Sequence, residues 1–119
     1  MVSSHSSTVA DLLATYIAMW NERDTLTRQR IGAGLFTADA RYVDPTVSAR
    51  GVAAIDAHVV TWQEQFPGMV FTIGAVHSHH DVAHFGWSFG PPGGSPVGSG
   101  SDTVTIADGR LATVYGFFD

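Results

Sequence analysis

Asp102 is the residue whose setting points most directly to chemistry. Side chains alternate along the β-rich run Gly98–Ala107, so Asp102 shares one face with Val104 and Ile106, while Ser101, Thr103 and Thr105 share the other. A carboxylate on an apolar face is disfavoured in its charged form, which raises its pKa and makes it a proton donor or a poised base. The competing reading is a carboxylate at the end of the sheet, hydrated or bonded to a helix terminus. Asp44 ends a second alternating run, with Ala40 and Tyr42, directly before Pro45. From there it can project toward the mouth of the fold as a general base, or cap the turn with its own side chain. Tyr16 lies on an apolar helical stripe four residues before Trp20. If buried, its hydroxyl needs a partner and can donate to a ligand oxygen; the alternative is ordinary core packing.

Other chemistries lack their residues. The chain has no Cys, hence no thiol nucleophile, disulfide or thiolate zinc site, and no Lys, hence no Schiff base. His77 and His79 share a strand face and precede His80 and Asp81, which invites a metal reading. That run enters a turn, and no third ligand has a completing spacing, so solvated histidines on the outer face of a sheet are expected and no metal. Gly98-Ser99-Gly100 has neither the Lys-Ser/Thr of a phosphate loop nor a strand-to-helix context. No Gly-x-Ser-x-Gly elbow and no His-Glu-x-x-His motif occurs, so serine hydrolase and zinc protease chemistry have no support. No cofactor is implied. A formal charge of −5 argues against phosphate-backbone binding, so nucleic acid is not an expected partner.

The elements that must position these residues can be read from periodicity. Val9, Leu12, Leu13, Tyr16, Ile17, Met19 and Trp20 recur at helical spacing, with a Ser or Thr at positions 6 to 8 as cap. Leu26, Ile31, Leu35 and Phe36 predict a second helix, weakened by Gly32 and Gly34. A strand follows through Ala40, Tyr42 and Asp44, stopped by Pro45. Val52, Ile55, Val59, Trp62 and Phe66 predict a third helix, ended by Pro67-Gly68. The rest reads as four strands, Met69 to His80, Val82 to Gly90, Gly98 to Ala107 and Arg110 to Phe118, the last two joined by the hairpin signal Asp108-Gly109. In the second of these, Phe85, Trp87 and Phe89 alternate toward the interior.

With 119 residues, 45 % of them hydrophobic, the chain is expected to be one domain over residues 1–119 with its own core. Segregated helices and strands mark it as α+β, a curved and mostly antiparallel sheet packed on three helices. Such an arrangement leaves a cone that a small apolar ligand can enter. The Ser-rich start, Met1 to Thr8, lacks the pattern of a signal peptide, and no apolar run approaches the ~20 residues of a membrane span. A soluble, cytoplasmic protein is the expectation.

Several stretches, taken in order, resemble a known superfamily. They are Trp20-Asn21-Glu22-Arg23-Asp24, Phe36 through Pro45, Gly51 with Ile55, Phe66-Pro67-Gly68, and Asp108-Gly109-Arg110-Leu111 through Gly116-Phe117-Phe118. Together they are similar to the NTF2-like superfamily, in its SnoaL-like polyketide cyclase and ketosteroid isomerase branch, over nearly the whole chain. The resemblance implies a cone-shaped α+β barrel and a homodimer through the outer face of the sheet, where His77 and His79 could lie. It implies a cofactor-independent acid/base enzyme on an apolar carbonyl, steroid-like or polyketide-like compound, or else a non-catalytic binding or interaction domain of the same fold.

In the isomerase pattern Asp44 matches the general base, Asp102 the carboxylic acid of the oxyanion hole and Tyr16 the phenol donor. Two further tyrosines of that pattern fall at Phe36 and Val59 here, and the Arg of the epoxide hydrolase pattern falls at Gly100, which disfavours that branch. For the cyclases, the single acid/base Asp is matched by Asp102. Trp20, Tyr42, Val59, Trp62, Phe85, Trp87, Val104 and Phe118 are the expected ligand-binding side chains. A pocket plugged by Trp20, Trp62 and Trp87 would instead suit an interaction domain.

Overall fold

A computed structural model describes residues 4–119, with side chains from residue 9 onward. It contains the helices α1 (Ser4–Asn21), α2 (Thr25–Leu35) and α3 (Val52–Gln65). Its strands are β1 (Phe36–Asp44), β2 (Val47–Arg50), β3 (Val70–His79), β4 (Val82–Gly90), β5 (Gly98–Ala107) and β6 (Arg110–Phe118). All six strands form one sheet in the order β2-β1-β6-β5-β4-β3. This is the α+β, NTF2-like architecture expected from the sequence, with one strand added. The first strand does stop before Pro45, but Asp44 then pairs with Val47 across a two-residue turn, and the chain returns as the short strand β2, which periodicity did not show. The sheet is mostly antiparallel, as expected: β1 lies parallel to β6 and every other pair is antiparallel.

Local chemistry sets the boundaries. The described part of the first helix already includes residues 6 to 8, so the residues expected as its cap stand within it. Asp24 caps α2, its carboxylate accepting from the Thr27 backbone N–H at 3.0 Å and the Thr27 hydroxyl at 2.7 Å. Phe36, expected in that helix, opens β1 instead. The Asp108-Gly109 turn has both residues at positive φ, 54° and 74°, as a twisted two-residue hairpin requires. Register shifts in β1, in β3 between Ile73 and Val76, and between β5 and β6 at Thr105/Ile106 bend the sheet into a concave surface.

The helices cover that surface. Leu13, Tyr16, Met19, Leu35, Phe36, Ile55, Val59, Phe85, Val104, Leu111 and Val114 are fully buried between them and the sheet. The helices are fixed to one another by a buried polar knot. Arg28 of α2 donates through Nε to Asp56 of α3 at 2.7 Å, and the Gln63 amide donates to the Trp20 and Glu22 carbonyls at 3.1 and 2.7 Å. Breaking such a pair by removing one partner costs about 3–5 kcal/mol, so the roof of the cone is held in a defined place. No described helix is long and apolar enough to cross a membrane.

Candidate functional site

Alternation along β5 delivers Asp102 and Val104 to the inner face, and helical spacing delivers Tyr16 and Trp20 from α1 to the same space. Between them lies a cavity of about 670 Å³. Trp20, Trp62, Phe71, Trp87, Phe89 and Phe118 form much of its apolar lining, and Tyr16, Tyr42, Asp44, His58 and Asp102 its polar wall. The three tryptophans line this space and do not fill it. Of the eight side chains expected to bind ligand, Trp20, Tyr42, Trp62, Trp87 and Phe118 line the cavity. Val59, Phe85 and Val104 are fully buried in the core behind its wall and do not reach it.

Asp102 sits in this wall with 4 % of its surface exposed. The Tyr16 hydroxyl donates to its Oδ2 at 3.0 Å, and the Trp87 indole N–H donates to its Oδ1 at 2.9 Å. Glycine at position 100 makes the second contact possible. A Cβ there would collide with the Phe117 carbonyl and with the Trp87 ring, whose Cη2 would lie 2.8 Å away. Position 100, where the epoxide hydrolase pattern has an Arg, is thus bare backbone against the Trp87 indole, and that indole is a donor to Asp102. Gly116, paired with Asp102 across β5 and β6, has the matching role toward Asp44. Its added Cβ would stand 3.0 Å from Asp102 Oδ1 and 3.4 Å from Asp44 Cβ, so the bare backbone lets the two carboxylates share one wall.

Asp44 is held by five donors. The backbone N–H groups of Thr46 and Val47 and the Thr46 hydroxyl reach Oδ1 at 2.7, 3.1 and 2.7 Å. The Tyr42 hydroxyl at 2.7 Å and His58 Nε2 at 3.0 Å reach Oδ2. One oxygen therefore caps the turn into β2, and the other faces the cavity wall.

The two carboxylates are driven in opposite directions. Burial pushes Asp102 up to about 6; the Trp87 and Tyr16 donors oppose this, and the charge of Asp44 adds to it. Burial would raise Asp44 too, but the Thr46, Tyr42 and His58 donors outweigh it and hold the carboxyl below its ordinary value. Burial and the neighbouring carboxylates raise both Tyr16 and Tyr42, so they remain phenols and act as donors. A pair of carboxyls whose surroundings separate their proton affinities is the arrangement from which acid and base roles are made.

His58 was missed in the sequence, although its position carried a signal. It lies three residues after Ile55 and four before Trp62, on the stripe that α3 turns inward. Thr46 was missed as well, since only its turn places it against Asp44. His77 and His84 are exposed and face each other across β3 and β4. Among the described residues no three His, Cys, Asp or Glu side chains gather as a metal-holding group.

Residues 13–114 match the family described as the SnoaL-like domain. A solved structure of a candidate isomerase of the SnoaL-like family from Agrobacterium tumefaciens is 31 % identical. It superposes with a TM-score of 0.89, over 95 % of this chain and 98 % of that one. A candidate polyketide cyclase from Sinorhizobium meliloti is 24 % identical, TM-score 0.72, over 89 % and 93 % of the two chains. A candidate ketosteroid isomerase from Kribbella flavida is 18 % identical, TM-score 0.72, over 95 % and 78 %. At these identities the last two show the fold alone. No functionally curated protein matches the sequence.

Proposed function

The chain belongs to the SnoaL-like domain family, and from that premise we propose that it is a cofactor-independent acid/base enzyme. Its substrate is a small apolar carbonyl compound, steroid-like or polyketide-like, and its reaction a proton transfer of the isomerase or cyclase type. The observation that carries this reading is Asp102, a carboxyl pushed up to about 6 in the wall of an aromatic cavity, in hydrogen-bond contact with Tyr16 and Trp87. A general acid or base is most effective when its pKa lies near the working pH.

In its protonated form Asp102 donates to the substrate carbonyl oxygen. Protonation also weakens its hold on the Tyr16 hydroxyl, which can then turn toward the same oxygen. Two neutral donors in the wall of an aromatic-lined cavity stabilise the enolate charge where it develops. The aromatic lining supplies binding through apolar contact and excludes water from the reacting carbon.

Solvent deuterium incorporation into 2-tetralone, an enolisable apolar ketone, tests this by NMR. Wild-type protein is expected to catalyse incorporation. Asp102→Asn is expected to slow it by about 100-fold or more while the ketone still quenches tryptophan fluorescence. A wild type that neither binds nor exchanges the ketone would return the protein to the binding or interaction domains of this fold. An Asn variant as fast as wild type would remove Asp102 from the chemistry.

A further inference from the structure

The carboxyl expected to act as base is badly placed for it. A base needs a lone pair open to the substrate, whereas the two oxygens of Asp44 receive five donors that stabilise the ion. One of those donors has what Asp44 lacks. The His58 ring stands against Trp20 and Tyr42, with ring centres 5.8 and 5.2 Å apart, and meets Trp20 edge-on at 88°. Its Nε2 faces Asp44 Oδ2 at 3.0 Å. A carboxylate opposite Nε2 fixes the neutral ring with its proton on that nitrogen, which leaves the lone pair on Nδ1. The ring makes no other hydrogen bond among the described residues, and no described buried side-chain polar atom lacks a partner. Nδ1 is therefore accessible and not sealed in the core, and His58 lines the cavity.

We propose that His58 is the catalytic base of this cavity and that Asp44 is a positioning residue, holding the ring in one tautomer and stabilising the imidazolium that forms. The inference rests on the acid/base reading above. The step balances without a co-reactant. Nδ1 takes the proton from the carbon beside the carbonyl, the C–H pair becomes the enol C=C bond, and the carbonyl π pair moves to oxygen. That oxygen takes the proton of Asp102. Return of a proton from the imidazolium to the same or a conjugated carbon, with Asp102 recovering its own, completes exchange or isomerisation. Each group acts once as donor and once as acceptor, and Asp44 stays an anion throughout.

The test compares deuterium incorporation into 2-tetralone by wild type, His58→Gln, His58→Ala and Asp44→Asn. The Gln amide can still donate to Asp44 but has no basic nitrogen, so it preserves a structural role and removes the proposed one. A loss of about 100-fold or more is expected in His58→Gln with ketone binding retained. His58→Ala should be equally slow and partly restored by added imidazole. In ¹⁵N NMR of the ligand-free wild type, the His58 ring should carry its proton on Nε2, and Asp44→Asn should reduce that population and slow exchange. Wild-type rates in His58→Gln beside an inactive Asp102→Asn would overturn the role of His58 and leave the acid/base reading standing. A wild-type ring protonated on Nδ1 would overturn it independently of any variant. No exchange by the wild type would overturn both.

Discussion

Replacing Asp102 by Asn should change the pH dependence of stability in a direction set by burial. The carboxyl rises from 3.8 in the unfolded chain to about 6 in the fold. A raised folded pKa means that the native state binds the proton more tightly than the unfolded state. Its contribution is therefore most favourable below 3.8 and is lost as pH rises through about 6. At about 1.36 kcal/mol per unit, the full loss is about 3 kcal/mol, of which about 2 kcal/mol falls between about pH 4.5 and 7.5. Asn does not titrate. Whatever it loses by failing to accept from both Tyr16 and Trp87 is a constant offset, and Asp44 is common to both proteins. Urea unfolding of wild type and Asp102→Asn across that range should show the variant gaining about 2 kcal/mol on wild type as pH rises, roughly 1 M or more in midpoint. A flat difference, or a wild type that gains on the variant, would refute the assignment of a raised, buried carboxyl.

Three further outcomes follow from the same wall. Trp87→Phe removes the donor on Asp102 Oδ1; a hydrogen bond to a charged group is worth about 1.5–3 kcal/mol, so the Asp102 midpoint should rise by about 1–2 units in ¹³C NMR. Gly100→Ala should destabilise the protein by about 1–3 kcal/mol and alter the Trp87 fluorescence, because the new methyl meets a backbone carbonyl and the indole at once. The ionisable wall holds Asp44, Asp102, Asp119 and His58 but no Arg. At neutral pH, 2-naphthoate should therefore bind about 10-fold or more weakly than neutral 2-naphthol by tryptophan quenching; equal affinity would show that the carboxylates do not set the sign of the cavity.

Where two periodicities agreed, the chain announced its structure. β4, β5 and β6 begin and end where alternation and turn residues put them, and α3 stops at the residues before Pro67-Gly68. The same alternation placed Asp102 on the inner face, which is why it was visible as unusual. β2 was hidden because four residues carry too little pattern and because Pro45, read as a stop, is a turn residue whose hairpin is completed by the Asp44 side chain. The parallel pairing of β1 with β6 joins residues about seventy positions apart and has no local signature. His58 escaped for a different reason: the stripe of α3 was counted by its apolar members, and a polar residue at the same spacing was left out. Val59, Phe85 and Val104 illustrate the converse limit. Period tells which face a residue takes, but whether that face meets a ligand or a neighbouring side chain depends on sheet curvature, which bulges create.

The most direct measurement is a ¹³C NMR titration of the aspartate side-chain carboxyls, assigned with Asp102→Asn, with and without 2-tetralone. Asp102 should titrate near 6 in the free protein and move higher with the ketone bound, because the ligand removes water from the carboxyl and accepts its proton. An Asp102 that titrates in the ordinary carboxylate range and does not respond to the ketone would contradict the proton-transfer cavity at its centre.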